Sequence, residues 1–303
     1  MTDDYAPDRF YEDLVKHRLI IPVGVPGAFG RGPVFEDVLA RFNDQITEMA
    51  RADGAEVMLF PPIIARDVLE RSEFLDSFPQ LAGTVFSFFG DERQSKQLTA
   101  HLHAHEPWAH LQGMTDVVLN PAACYPVYPG FAGTVPEKGR LVDMQNWVYR
   151  HEPSAEPTRM QAFRVREFVR VGTPAMVVAW RNMWVERAVA LLTGLGLPAR
   201  PEVASDPFFG RGGRMLAASQ KEQQLKFEVL VPVISAENPT AVCSFNYHQT
   251  KFGDTFAIKT ADGAVAHTAC LGFGLERCVM ALFRHHGCEL GAWPREVRRR
   301  LWP

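Results

Sequence analysis

The sequence predicts an α+β fold, with helices packed against an antiparallel sheet. Strand-like segments do not alternate one for one with helical segments, as they would in a doubly wound parallel sheet. The 303 residues are 47% hydrophobic and 22% charged, which is typical of a globular protein. No linker rich in Pro, Gly or Ser divides the chain, so we expect one domain over residues 1–303.

The first half of the chain predicts one long helix and two strands. Residues 33–52 carry apolar side chains at helical spacing, and Gly54 follows as a stop signal. A short apolar strand then runs from Val57 to Phe60 and ends at a Pro-Pro pair. Residues 117–135 read as a strand followed by turns rich in Pro and Gly.

The second half predicts two further helices, over 176–195 and 275–283. Segments 145–150 and 163–171 read as two strands joined by a polar loop. The remaining strand-like segments are 226–234, 241–247 and 255–259.

Charge and cysteine content exclude several classes of protein. Lys plus Arg total 32 against 35 Asp plus Glu, so the chain lacks the basic surplus of a protein that grips many phosphates of a nucleic acid. No segment approaches the roughly 18 apolar residues that a membrane helix needs, and the N-terminus does not resemble a secretion signal. Five widely spaced cysteines argue against a disulfide framework, so we expect a cytoplasmic protein.

Two segments carry residues suited to binding a nucleotide. In the first, Arg150 and Glu152 lie two apart at the end of a predicted hairpin, where the guanidinium could hold a phosphate and the carboxylate an amine. On this segment alone, a surface ion pair explains both residues better. In the second, Gly272-Phe273-Gly274 precedes a helix that carries Arg277 in its first turn; glycines and a helix N-terminus favour an anion, but a lone Gly-x-Gly is not specific.

Taken together and in this order, the segments resemble the three signature motifs of class II aminoacyl-tRNA synthetases, above all the seryl enzymes. Motif 1, a dimer-forming element, matches about 33–62; motif 2 about 145–171; motif 3 about 270–284. The resemblance covers roughly 30–303 and implies a class II synthetase-like antiparallel sheet flanked by helices. The long tRNA-gripping coiled-coil arm of the seryl enzymes has no room before motif 1.

The resemblance also implies how ATP is bound. The catalytic arginines would be Arg150, on the α-phosphate, and Arg277, on the γ-phosphate. Phe168 would stack on adenine and Glu152 would accept a hydrogen bond from its amino group. The further residues implied are Arg159 for the terminal phosphates, Ser244 for ATP and Asn246 for the substrate.

The amino-acid pocket departs from the seryl pattern. Ala122-Ala123-Cys124 replaces a Thr-Ala-Glu triplet, and Glu167 and Cys270 belong to neighbouring motifs. From the residues alone, two buried cysteines and a salt-bridged glutamate are the better explanation. The resemblance to zinc-dependent, archaeal-type seryl enzymes implies instead one Zn²⁺ per subunit, held by Cys124, Glu167 and Cys270, with an open position for the substrate amine. Glu167 would thereby also bind substrate.

A zinc-bearing core without the arm resembles the bacterial amino acid:[carrier protein] ligases. That resemblance implies ATP-dependent activation of glycine or alanine and transfer to the phosphopantetheine thiol of a small acidic carrier protein. It further implies Mg²⁺ with ATP, a homodimer, and neither tRNA nor membrane as partner. The magnesium ligand is open, with Glu237 as a candidate. Two alternatives remain: a minimal aminoacyl-tRNA ligase, and a non-catalytic paralogue that senses an amino acid.

Three other groups of residues have ordinary explanations. The histidines of 101–110 fit an exposed polar strand or helix better than a metal site. Cys243, Cys278 and Cys288 show no partner pattern and read as core or surface thiols. The run Arg295–Arg300 fits a solvated helix face, and is also a candidate docking surface for an acidic carrier.

Overall fold

A seven-stranded sheet forms the centre of the computed structural model, which describes residues 7–303. Within that range its strands pair antiparallel except at one edge, where the last pair is parallel. In spatial order the strands are β10 (Arg200–Val203), β11 (Lys226–Val231), β12 (Thr240–Gln249), β14 (His267–Gly274), β9 (Ala162–Gly172), β8 (Arg140–Tyr149) and β3 (Glu56–Met58).

Shorter strands form three small sheets beside the central one. The strand pairs are β1 (Ile20–Pro22) with β2 (Phe29–Arg31), and β7 (Gly133–Thr134) with β13 (Ile258–Lys259). The three-stranded sheet has the order β4 (Ile63–Ala65), β6 (Gly113–Leu119), β5 (Thr84–Ser87). It covers a small apolar cluster of its own, separate from the main core.

The two longest helices and the motif 3 helix pack on one face of the central sheet. They are α2 (Pro33–Ala50), α6 (Pro174–Gly194) and α9 (Leu275–His286). The other helices are α1 (Pro7–Lys16), α3 (Arg66–Arg71), α4 (Phe74–Ser77), α5 (Glu92–His103), α7 (Gly210–Glu222), α8 (Lys251–Thr255) and α10 (Arg295–Leu301). None of the helices in the described part of the chain is long and apolar enough to cross a membrane.

Strand β9 shows how the two faces of the sheet differ. Its even-numbered side chains meet the helices: Arg164 pairs with Glu36 of α2, and Phe168 packs on Trp184 of α6. Because side chains alternate along a strand, the odd-numbered ones face the other way. The core fills the space between sheet and helices, and the opposite face is free to form a site.

Most predicted elements are confirmed, and one is wrong. The motif 2 hairpin and helices α2, α6 and α9 lie where the sequence places them. The predicted strand 255–259 is wrong: Thr255 ends helix α8, residues 256–257 form a turn, and only Ile258–Lys259 is extended. Phe252 and Phe256, one helical turn apart, both stack against Tyr128, so burial of aromatic rings favours helix here.

Candidate active site and metal centre

A pocket opens on the sheet face opposite α2, α6 and α9. Its floor consists of residues from β9, β12 and β14, and its walls come from the turn after β6 and from the segment that leads into α7. Of the residues that the sequence nominates, those lining the pocket are Cys124, Arg150, Glu167, Ser244, Asn246, Cys270 and Arg277.

The three proposed metal ligands meet in this pocket. The ligand atoms of Cys124, Glu167 and Cys270 all lie within 4.8 Å of one another, and all three residues are buried. Each comes from a different element: the turn after β6, strand β9 and strand β14. The backbone N–H of Cys124 donates to Oε2 of Glu167 at 3.1 Å, which holds the carboxylate towards the thiol.

Burial opposes ionisation of the three groups of this cluster when no cation is present. It raises the pKa of the Cys124 thiol well above its ordinary value, and the neighbouring Cys270 and Glu167 add to the shift. Burial also raises the pKa of Glu167. A bound cation would favour the charged forms of all three groups.

A fourth side chain, Tyr128, lies beside the cluster. The hydroxyl of Tyr128 is buried and has no hydrogen-bond partner among the described residues. Its pKa is raised by burial and by the neighbouring Cys124. Two thiols and a carboxyl that line one pocket, with this hydroxyl beside Cys124, fit a three-ligand Zn²⁺ site with one position left open.

Two arginines lie in the same pocket. The guanidinium carbons of Arg150 and Arg277 each lie 5.8 Å from the ring centre of Phe163. Arg277 is fixed by hydrogen bonds to the carbonyls of Thr158, at 2.8 Å, and Ala241, at 3.1 Å. Burial and the charge of Arg150 lower the pKa of Arg277. Two cations beside one aromatic ring are suited to an anionic, aromatic ligand such as a nucleotide.

The structure places Phe168 outside the pocket, which contradicts the predicted stacking on adenine. Phe168 is fully buried on the helix side of β9, with its ring centre 4.9 Å from that of Trp184. Phe163 lies on the same face as Glu167, four residues away, and lines the pocket. The correction follows from strand alternation: if Glu167 faces the pocket, Phe168 cannot.

Two other predicted ATP contacts lie beside the pocket rather than in its lining. Arg159 is exposed in the motif 2 loop, where Nε lies 3.4 Å from a carboxylate oxygen of Glu156. Glu152 is half-buried, and its charge acts on Arg277 by raising that residue's pKa against the effect of burial. Asn246 does line the pocket, and its Nδ2 donates to Sγ of Cys270 at 3.7 Å.

Sequence reasoning missed a charged group in the pocket wall. Nζ of Lys226 lies 2.6 Å from Oδ1 of Asp206 and 2.9 Å from Oε1 of Glu228. Lys226 and Glu228 are two residues apart on a predicted strand, so the sequence indicates that they share a face of the sheet. It does not indicate that this face lines a pocket. Glu237, the magnesium candidate from the sequence, lies exposed in the turn between β11 and β12, whereas Glu228 lines the pocket.

The remaining groups lie elsewhere. Of the histidines of 101–110, His101 and His103 belong to the polar helix α5, and His105 and His110 lie in the exposed segment after it. Among the described residues, Cys124, Glu167 and Cys270 are the one acidic or sulfur-containing group that could hold a metal ion. Arg298 and Arg299 line a separate hollow with Trp302, on helix α10, which contacts α2.

Comparison with known proteins identifies the family. No protein-family model matches the chain. The chain is 44% identical over 288 residues to amino acid–[acyl-carrier-protein] ligase 1 of Bradyrhizobium diazoefficiens, covering 94% of this chain and 88% of that protein. It is also 44% identical over 299 residues to ligase 2 of the same organism, covering 98% and 89%. The chain belongs to the amino acid–[acyl-carrier-protein] ligase family.

More distant relatives of this ligase-family chain are synthetases. It is 28% identical over 278 residues to the type-2 serine–tRNA ligase of Methanopyrus kandleri, covering 84% of the chain and 53% of that enzyme. The chain therefore spans about half the length of these relatives. Among solved structures, M. kandleri SerRS in complex with A. aeolicus tRNASec matches 96% of the chain and 60% of its own, at a TM-score of 0.81 and 22% identity. Prolyl-tRNA synthetase of Giardia lamblia matches at a TM-score of 0.69 and 12% identity, covering 94% of this chain and 53% of its own. The predicted class II synthetase-like α+β fold and the predicted family are confirmed.

Proposed function

We propose that this protein activates glycine or alanine with ATP and transfers the aminoacyl group to the phosphopantetheine thiol of a carrier protein. The observation that carries the proposal is that one pocket holds both Arg150 and Arg277 and the cluster of Cys124, Glu167 and Cys270. The membership in the ligase family supports the same reaction.

In the first step a carboxylate oxygen of the amino acid attacks the α-phosphorus of ATP, and pyrophosphate leaves. Negative charge then spreads over the phosphate oxygens, where fixed cations stabilise it. Arg150 would hold the α-phosphate and Arg277 the γ-phosphate, and both are already fixed in the pocket. Phe163 would carry the adenine ring, and Glu228 is the carboxylate placed to hold Mg²⁺ with ATP.

The metal cluster would select the substrate amine. Cys124, Glu167 and Cys270 would hold Zn²⁺, which when bound offers an open coordination position to a neutral α-amine. Because Arg150 lines the same pocket as these three residues, an amine held there would leave the substrate carboxylate in the pocket that also contains Arg150. One methyl group changes binding by only about 1–3 kcal/mol, so glycine and alanine are both proposed.

In the second step the thiol sulfur of the carrier attacks the carbonyl carbon of the adenylate. A thioester forms and AMP leaves with the bonding electron pair. Because the acyl phosphate is already activated, we assign no general base.

We further propose a cytoplasmic homodimer. All five cysteines are unpaired, which fits a reducing compartment. The edge strand β3 exposes 81% of Val57 and, just beyond its end, 86% of Leu59, in the segment that matches motif 1. Exposed apolar residues at a sheet edge favour association with a second copy.

Pyrophosphate exchange and mass spectrometry test the proposed reaction. With ATP, zinc and glycine or alanine, we expect the phosphopantetheinylated carrier to gain the mass of one aminoacyl residue and total tRNA to gain none. Arg150→Ala and Arg277→Ala should each slow ATP–pyrophosphate exchange by roughly 10²–10³-fold. Arg295→Ala, outside the pocket, is the matched control. Near-normal exchange in both pocket variants would refute the adenylation reaction.

A further inference from the structure

His248 contacts the proposed metal centre from outside the ligand set. It lies on β12, with Nε2 3.5 Å from Sγ of Cys270 and Nδ1 3.0 Å from Oγ1 of Thr268. Thr268 and Cys270 are two residues apart on β14, so their side chains share one face of the sheet. The imidazole therefore spans two positions of the neighbouring strand with its two nitrogens.

An irregularity of the backbone accompanies this contact. Tyr247 pairs with Ala269 and Gln249 with Thr268, so His248 is the extra residue of a β-bulge between β12 and β14. Gln249 has φ +54°, a conformation uncommon outside glycine. Bulges occur beside functional sites, where they re-aim a side chain.

Aromatic rings hold the imidazole in place. Its ring centre lies 4.8 Å from that of Phe252 and 6.3 Å from that of Tyr128, both nearly edge-on. Phe252 and Tyr128 stack on each other at 4.0 Å. Because these rings pack around it, the imidazole cannot turn away from Cys270 without disrupting them.

We propose that His248 is a positioning residue of the metal centre, whose Nε2–H donates to the Cys270 thiolate while Nδ1 accepts the hydroxyl proton of Thr268. A thiolate can only accept, so the proton lies on Nε2, and Nδ1 of the neutral ring is left to accept from the Thr268 hydroxyl. Asn246 donates to the same sulfur from the pocket side. The two N–H donors stabilise the negative sulfur and fix its direction. His248 does not belong to the group whose ligand atoms lie within 4.8 Å of one another, which distinguishes it from a metal ligand.

Zinc affinity of the full-length protein tests this role, which rests on the proposed metal centre. Competition of the metal-free protein with a chromophoric chelator would give the Kd for Zn²⁺ in wild type, His248→Ala, His248→Gln and Thr268→Val. Loss of a hydrogen bond to a metal ligand typically weakens metal binding about 10–100-fold, and we expect this for His248→Ala. His248→Gln keeps an N–H near the Nε2 position and should recover most of the affinity, whereas Thr268→Val should show an intermediate loss.

Substitution with Co²⁺ separates positioning from coordination. We expect His248→Ala to keep the thiolate-to-cobalt charge-transfer bands of wild type, with a shift in their energy. Loss of stoichiometric cobalt or zinc binding in His248→Ala would overturn the proposal, because His248 would then be a ligand. A Kd within twofold of wild type in both His248→Ala and Thr268→Val would also overturn it.

Folding controls keep these outcomes separate. His285→Gln changes an exposed histidine of α9 that contacts the carbonyl of Pro232, outside the pocket, and should keep the wild-type Kd. If His248→Ala does not fold, as shown by circular dichroism, His248→Gln and Thr268→Val decide the question. A wild-type protein that binds no zinc would defeat both the metal centre and the positioning role, whereas tight wild-type binding with unchanged variants defeats only the latter.

Discussion

At the scale of single residues, strand alternation decides which side chains do chemistry. Phe163 and Phe168 both lie on β9, yet one lines the pocket and the other is buried against Trp184. Phe163 is four residues from Glu167 and shares its face of the sheet, whereas Phe168 is the next residue and points to the opposite face. Two aromatic residues five positions apart on one strand therefore contribute to different properties: Phe163 to the pocket and Phe168 to the stability of the core.

Replacing each of these phenylalanines by alanine should separate binding from stability. We expect Phe163→Ala to raise the KM for ATP about tenfold or more, since stacking of a base on an aromatic ring contributes about 1–3 kcal/mol. Phe168→Ala should instead lower the free energy of unfolding by about 3–5 kcal/mol, because it leaves a cavity in the core. Pyrophosphate-exchange kinetics and urea denaturation measure the two effects. The reverse pattern would restore adenine stacking to Phe168.

Glu167→Gln should have opposite effects on the metal-free and zinc-bound protein. Burial raises the pKa of Glu167 in the folded protein, so its contribution to stability is greatest below the unfolded pKa and is lost as the pH rises through the folded pKa. Because glutamine cannot ionise, we expect the metal-free variant to be more stable than wild type at neutral pH.

Zinc should reverse this order. At zinc a thousandfold above its Kd, wild type should gain about 4 kcal/mol, and the variant much less because it lacks one ligand. Urea denaturation with a chelator and with zinc measures both effects, and Glu152→Gln, outside the cluster, is the control. Equal stabilisation of both proteins by zinc would contradict the role of Glu167.

At the scale of elements, the edges of the central sheet are not equivalent. Strand β3 ends the sheet on one side and β10 on the other. Val57 on β3 is 81% exposed, whereas Val203 on β10 is 38% exposed. An edge strand with such exposed apolar side chains favours burial against a second chain.

Charges placed on the β3 edge should therefore separate the proposed dimer. We expect Val57→Asp combined with Leu59→Asp to give a monomer, because a dimer would have to bury both carboxylates. Size-exclusion chromatography with light scattering measures the mass. Val203→Asp, at the opposite edge, should leave the mass unchanged. A double variant that keeps the dimer mass would place the interface elsewhere.

At the scale of the whole molecule, the sheet separates the pocket from the helices. The pocket opens on the face that carries Glu167, while α2 covers the other face and holds α10 through Gln45 and the carbonyl of Arg300. The arginines of α10 are thus on the far side of the sheet from the chemistry. This arrangement argues against the arginines of α10 as the docking surface for the carrier protein, a role that their charge alone would suggest.

We therefore expect charge reversal of Arg298 and Arg299 to glutamate to leave carrier acylation within about twofold of wild type, even at low ionic strength, where steering by charge is strongest. Adenylation should also be unchanged. Initial rates of carrier loading at two salt concentrations measure this. A selective loss of loading at low salt would return the docking surface to α10.

The sequence by itself determined the α+β class, the motif 2 hairpin and the helices at 33–52 and 275–283. These follow from local spacing and from ordered motifs, which survive without knowledge of distant contacts. A family resemblance nominated Cys124, Glu167 and Cys270 as one group, but only the tertiary structure shows that they meet, since they are up to 146 positions apart (270 − 124). It also decided that Phe163 rather than Phe168 faces the pocket, that Lys251–Thr255 is a helix, and that His248 reaches Cys270. Each depends on which partner an element packs against, and packing between distant segments overrides local preference.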